Sequence, residues 1–228
     1  MSAWLGEQLL PTAPGFWLLI GLLTTALLRS SEQMLPRWWR PRAWAILWLL
    51  VPYLGLLAGG LSPRLMGLSG NDWSVSLGLG LGIAFGVLLL LGLVRALLEM
   101  GERPILTREV VRHGGFAALL FWSGITQFYW CFLRGGIWEL LLTAPQPPEL
   151  PGYWAVWGAA GLLLVQILWA RPPLPSLLLL LTTLLTTSIL FFYSQNFWLC
   201  WAFHAALQLL AAPALDLTPQ PDRAADGN

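Results

Sequence analysis

The sequence predicts an all-α protein, a polytopic transmembrane bundle of about seven spans, and three observations predict it. Hydrophobic residues make up 57% of the 228 positions and charged residues only 10%, with a mean hydropathy of +0.68, far outside the norms of soluble domains. The 15 tryptophans and 17 prolines suit helices anchored at two interfaces and turned at proline corners. The arginines, finally, cluster in alternate connections between apolar runs, as the bias toward positive cytoplasmic loops requires.

A bilayer core of about 30 Å takes about 20 helical residues, and apolar runs of that order occupy approximately 15–29, 43–61, 76–98, 115–141, 153–170, 174–193 and 196–213. The first has Glu7 on its flank and Arg29-Ser-Ser-Glu32 behind it, which is the pattern of a retained helix and not of a cleaved signal. The 29–42 connection carries Arg29, Arg37, Arg40 and Arg42, whereas SPRLMGLSGNDWS at 62–74 has only Arg64. Arg95, Arg103, Arg108 and Arg112 follow the third run, none lies in 142–152, and Arg171 follows the fifth. Seven spans with the N-terminus outside and the C-terminus cytoplasmic satisfy every connection. The expected location is an integral membrane one, in a prokaryotic plasma membrane or an internal membrane.

Within the third run, Gly78, Gly82 and Gly86 recur at four-residue spacing, which puts three small residues on one helix face and predicts close packing of a neighbouring helix there. The stretch 214–228 is rich in proline and aspartate and lacks apolar periodicity, the composition of a disordered cytoplasmic tail. The chain divides on this reading into three helices with cytoplasmic loops (1–113), a four-helix core (114–213) and the tail. A net charge of +1 gives no basic face for nucleic acid; membrane lipids and other membrane proteins are the expected partners.

Polar groups retained at bilayer depth are costly and mark function by default. The fourth run holds Gln127, Tyr129, Arg134 and Glu139, the fifth Gln166, and the seventh His204 and Gln208, with Cys200 one turn before His204 on the same face. Two readings of Arg134 compete. In one, Gly135-Gly136 breaks the helix and the guanidinium snorkels to the outer surface; in the other, a long span shelters Arg134 inside the bundle. Cys131 and Cys200 lie in apolar runs, where thiols are small packing groups.

The order of FYWCFLRGGIWELLL, a proline-bounded hairpin and SQNFWLCWAFHAALQLL resembles the CPBP family, intramembrane metalloproteases related to CAAX prenyl endopeptidases and bacteriocin-processing proteins. The resemblance covers Phe116 to Ala212. It matches the family's Arg-Gly pair to Arg134 and Gly135 and its last histidine motif to His204, with Gln208 where asparagine is expected. The family's paired glutamates fall on Tyr129 and Trp130, and its middle motif falls on Val165 and Trp169, so that a tryptophan replaces a histidine. The resemblance implies a metal held by glutamate and histidines beside an intramembrane peptide bond. Here the general base and most ligands of such a site are replaced, and no cofactor is expected.

The expected function is accordingly that of a CPBP-like membrane protein without catalysis, serving as an interaction or assembly factor. One alternative is an active divergent intramembrane metalloprotease using zinc or another divalent metal, with ligands from Glu139, Gln127 or a soft set of Cys131, Cys200 and His204. Another is a subunit binding a lipid or pigment through His204 and the tryptophan-rich helices.

Overall fold

The computed structural model describes residues 2–36, 38–99 and 115–211. All regular structure among them is helical: α1 (Ser2–Glu7), α2 (Pro14–Ser31), a 3-10 turn (Glu32–Met34), α3 (Arg40–Leu57), α4 (Trp73–Glu99), α5 (Gly115–Leu142), α6 (Pro151–Ala170), α7 (Leu174–Ser194) and α8 (Phe197–Ala211). Each of the seven apolar runs falls on one of α2 to α8; α1 is additional. The second run was expected to continue to residue 61, but α3 ends at Leu57 and the chain turns at Gly59 with φ of +72°. Four stretches are long and apolar enough to cross a membrane: Trp73–Leu93, Gly115–Leu142, Pro151–Ala170 and Ser176–Ser194. The expected tail at 214–228, together with Arg103, Arg108 and Arg112, lies outside the described residues.

Proline and polar caps set the helix starts. Pro occupies the first turn of α2, α3, α6 and α7, where its missing N–H costs nothing and its fixed φ suits the helix. Asp72 opens α4 by accepting from Ser74 Oγ at 2.7 Å, Ser74 N at 3.0 Å and Val75 N at 3.2 Å, bonds that hold its carboxyl below its ordinary range, the Ser74 hydroxyl foremost. Asn196 does the same for α8, its Oδ1 accepting from Trp198 N at 2.9 Å and Leu199 N at 3.2 Å. Asn196→Ala is expected to cost about 0.5–2 kcal/mol, measurable as a lowered unfolding midpoint of the purified protein, with Asn196→Asp retaining most of the stability.

Helix α5 is the centre of the bundle. It packs against α2, α3, α6 and α8, while α7 packs against α4, α6 and α8. Eight successive residues from Tyr129 to Gly136 are buried, so this stretch is enclosed on every side of the helix. One core joins Trp17, Leu18 and Val51 to Tyr129, Phe132, Leu133 and Leu163. A second joins Ala84, Cys131, Val156, Phe191, Phe203 and Leu207. Both cores cross the 113/114 division expected from sequence.

Gly135 and Gly136 do not break α5, which continues to Leu142. A side chain at Gly135 would stand 2.8 Å from Met66 Cγ, and one at Gly136 would stand 2.9 Å from Leu18 Cδ2. The two glycines therefore admit the 58–72 connection and α2 against the helix. That connection is held further by Ser62 N donating to Glu139 Oε2 at 2.7 Å and by Phe197 N donating to Gly67 O at 2.9 Å.

The expected packing face of α4 needs correction. Gly78, Gly82 and Gly86 are exposed, and a Cβ at any of them would meet nothing within 4 Å. The close approach is made by Gly80, where a Cβ would stand 2.1 Å from Leu199 Cδ2. Periodicity placed the three glycines on one face correctly, but α7 and α8 lie against a different face.

Candidate functional site

Successive residues on an α-helix point about 100° apart, and this separates Tyr129 from Trp130. Tyr129 turns toward α2, α3 and α6. Its ring stacks on Trp48 at 5.0 Å with planes 7° apart, and its hydroxyl lies 3.1 Å from Thr25 Oγ1 and accepts from Gln166 Nε2 at 3.2 Å. Trp130 turns toward α8 and stacks on His204 with centroids 5.6 Å apart and planes at 21°.

One turn further along α5, Arg134 has no exposed surface. One terminal nitrogen donates to Thr187 Oγ1 at 3.1 Å and Ser188 Oγ at 3.0 Å on α7. The guanidinium stands over Phe191 at 5.4 Å and 6.0 Å from the Trp130 centroid, within reach of cation–π attraction. Its Nε and its other terminal nitrogen have no protein acceptor, and among the described residues no carboxylate pairs with it. Of the two readings of Arg134, the structure realises the sheltered one.

His204 lies in a chain of amides. Gln127 Nε2 is 3.1 Å from its Nδ1, and Gln208 Nε2 is 2.9 Å from its Nε2. A neutral imidazole has one donor and one acceptor nitrogen, so one of the two glutamines presents its oxygen to the ring instead. That assignment gives one of the two unpartnered carboxamide oxygens, Gln127 Oε1 or Gln208 Oε1, a partner. Both imidazole nitrogens are then occupied by protein amides.

The remaining candidates are dispersed. Cys200 Sγ is 3.6 Å from Thr187 O, to which it donates, and Cys131 is a buried free thiol in the second core. Among the described residues no three His, Cys, Asp or Glu side chains form a group able to hold a metal. Glu139 is half-buried and engaged with the 58–72 connection. Trp169 is 50% exposed and lines a cavity of about 390 Å³ that also touches Trp130 but not His204.

Two features escaped the sequence. Thr187 and Ser188, which receive the guanidinium, sit in LLTTLLTTSIL, where hydroxyls also satisfy themselves on backbone carbonyls one turn back, as Thr183 does on Leu179 O at 2.7 Å. The density of hydroxyls in that one span was the available signal. The tryptophan-lined cavity draws on five separate helices, and only their packing assembles it.

Chemically, the centre is a closed polar layer of one cation, one imidazole, two amides and two hydroxyls, with an indole packed between Arg134 and His204. No family model matches the chain, and no curated protein and no solved structure matches it.

Proposed function

We propose that this chain is an integral membrane protein of seven spans, with its N-terminus outside and its C-terminus cytoplasmic, whose CPBP-like core performs no catalysis and which serves as an interaction or assembly partner within the membrane. The alternation of arginine-rich and arginine-poor connections supports the orientation. At about 1.5 Å per residue, the 18-residue α2 and α3 and the 15-residue α8 are short spans, and such helices are accommodated by thinning of the bilayer or by flanking anchors.

The observation that carries the non-catalytic reading is the filling of the polar centre. A catalytic metal takes about three protein ligands and leaves a position open for water. Here the indole of Trp130 stacks on His204, Gln127 and Gln208 engage both ring nitrogens, and the Tyr129 hydroxyl is engaged with Thr25 and Gln166. The resemblance to the protease family supports the fold frame, and the substituted positions support a loss of its chemistry.

The test is metal content and proteolysis by the purified full-length protein. After incubation with zinc and removal of excess, it is expected to retain well under one ion per chain and to leave a hydrophobic membrane-embedded peptide intact. Its migration within a larger assembly on native gels of solubilised membranes is expected to survive both a chelator and His204→Ala. Zinc-dependent cleavage that disappears in His204→Ala at unchanged protein abundance would overturn the proposal; loss of cleavage in Glu139→Gln would then assign the missing carboxylate.

A further inference from the structure

The cavity of about 390 Å³ adjoins the His204 centre, with Trp130 as the wall between them. We infer that it is a binding site for one acyl chain of an anionic phospholipid, with the headgroup at the arginine-rich end of the bundle. The volume falls in the roughly 300–1,000 Å³ range of small-molecule sites, which are mostly apolar with a few convergent polar groups. Five indoles, Trp44, Trp48, Trp122, Trp130 and Trp169, stand in the wall. The polar lining is sparse, with Arg29 and Gln166 prominent in it.

Position decides the class of occupant. The cavity is built from the last turns of α2, the first turns of α3, α5 as far as Trp130, the last turns of α6 and Leu180 near the start of α7, all toward one end of the bundle. That end carries Arg29 in the last turn of α2, Arg40 and Arg42 in the first turn of α3 and Arg171 just after α6, with Glu32 paired to Arg29. Excess positive charge beside an apolar cavity matches an anionic headgroup joined to an acyl chain. Trp130 is the boundary between cavity and polar centre, stacked on His204 while lining the lipid site.

The inference rests on the membrane reading above but not on loss of catalysis, and the two fail separately because lipid retention is measured without any protease substrate. Full-length protein purified in a neutral detergent is titrated, by native mass spectrometry, with phosphatidylglycerol, with phosphatidylcholine of the same chains, and with oleate. The first phosphatidylglycerol is expected to bind about ten-fold more tightly than phosphatidylcholine. Arg29→Gln is expected to weaken phosphatidylglycerol about five-fold and leave phosphatidylcholine unchanged, and Thr126→Phe, which fills the cavity from α5, is expected to abolish the first-bound lipid. Should Thr126→Phe fail to fold, Ala170→Phe at the exposed end of α6 blocks the same space. Equal retention of the two phospholipids, preference for oleate, or binding insensitive to both the charge and the filling variants would overturn it.

Discussion

Arg134→Met is expected to unfold later than the parent protein, by about 1–3 kcal/mol, despite removing the residue with the most distinctive surroundings in the bundle. A buried charge is tolerated when it is paired and fully hydrogen-bonded, and replacement of buried ionic groups by apolar side chains of similar volume is often neutral or stabilising by about 1–4 kcal/mol. Arg134 is fully buried, makes two bonds to neutral hydroxyls, and leaves two nitrogens without a protein acceptor. Methionine fills much of the same space against Phe191 and Trp130. The orphaned hydroxyls have a route back to their own helix, which Thr187 already takes toward Leu184 O at 3.4 Å. Arg134→Ala separates charge from volume: it leaves a void and is expected to fall about 2–5 kcal/mol below the methionine variant. Denaturant titration of the three purified proteins in one detergent measures both differences. A loss of about 3–5 kcal/mol in Arg134→Met, the cost of breaking a matched pair, would show that the guanidinium is compensated after all.

Gly67→Ala is expected to be the most damaging single methyl group, costing about 2–5 kcal/mol. Gly67 has φ of +73°, and a Cβ there would lie 2.6 Å from Gln195 O and 2.8 Å from Phe197 N. The left-handed conformation costs about 1–2 kcal/mol for an L-residue, and overpacking adds about 1–3 kcal/mol. Both obstructing atoms are backbone, at the turn between α7 and α8, and cannot swing aside. Moving them would also stretch the bond from Phe197 N to Gly67 O. Gly59 is the control, since its φ is +72° but a Cβ would meet nothing within 4 Å. Gly59→Ala should therefore show the dihedral cost alone, about 1–2 kcal/mol; equal losses in the two variants would remove the steric argument.

The helices were legible because crossing an apolar layer demands length and composition together, and both are written in the chain. Seven runs predicted this way each coincide with a helix, although α3 stops short of residue 61. Polar residues of the site were legible by contrast with their surroundings: Gln127, Arg134, His204 and Gln208 all enter hydrogen bonds between or along α5, α7 and α8. Their partners Thr187 and Ser188 were not, because a hydroxyl in a helix is as well satisfied by its own backbone as by a distant cation. Spacing also says which residues share a face without saying which face meets a neighbour. That is why Gly78, Gly82 and Gly86 were expected to pack and Gly80, outside their register, is the glycine that does.

The enclosure of α5 on all sides has a consequence for how the chain is made. Arg134 precedes its hydroxyl partners by 53 and 54 residues, and Gln127 precedes His204 by 77. At about 5–20 residues per second, translation separates α5 from the helices that shelter it by roughly 3–15 s. During that interval the most polar helix of the future centre has been synthesised and the side chains that will cover it have not. The polar centre is therefore completed only once α7 and α8 have been made, since they carry Thr187, Ser188 and His204.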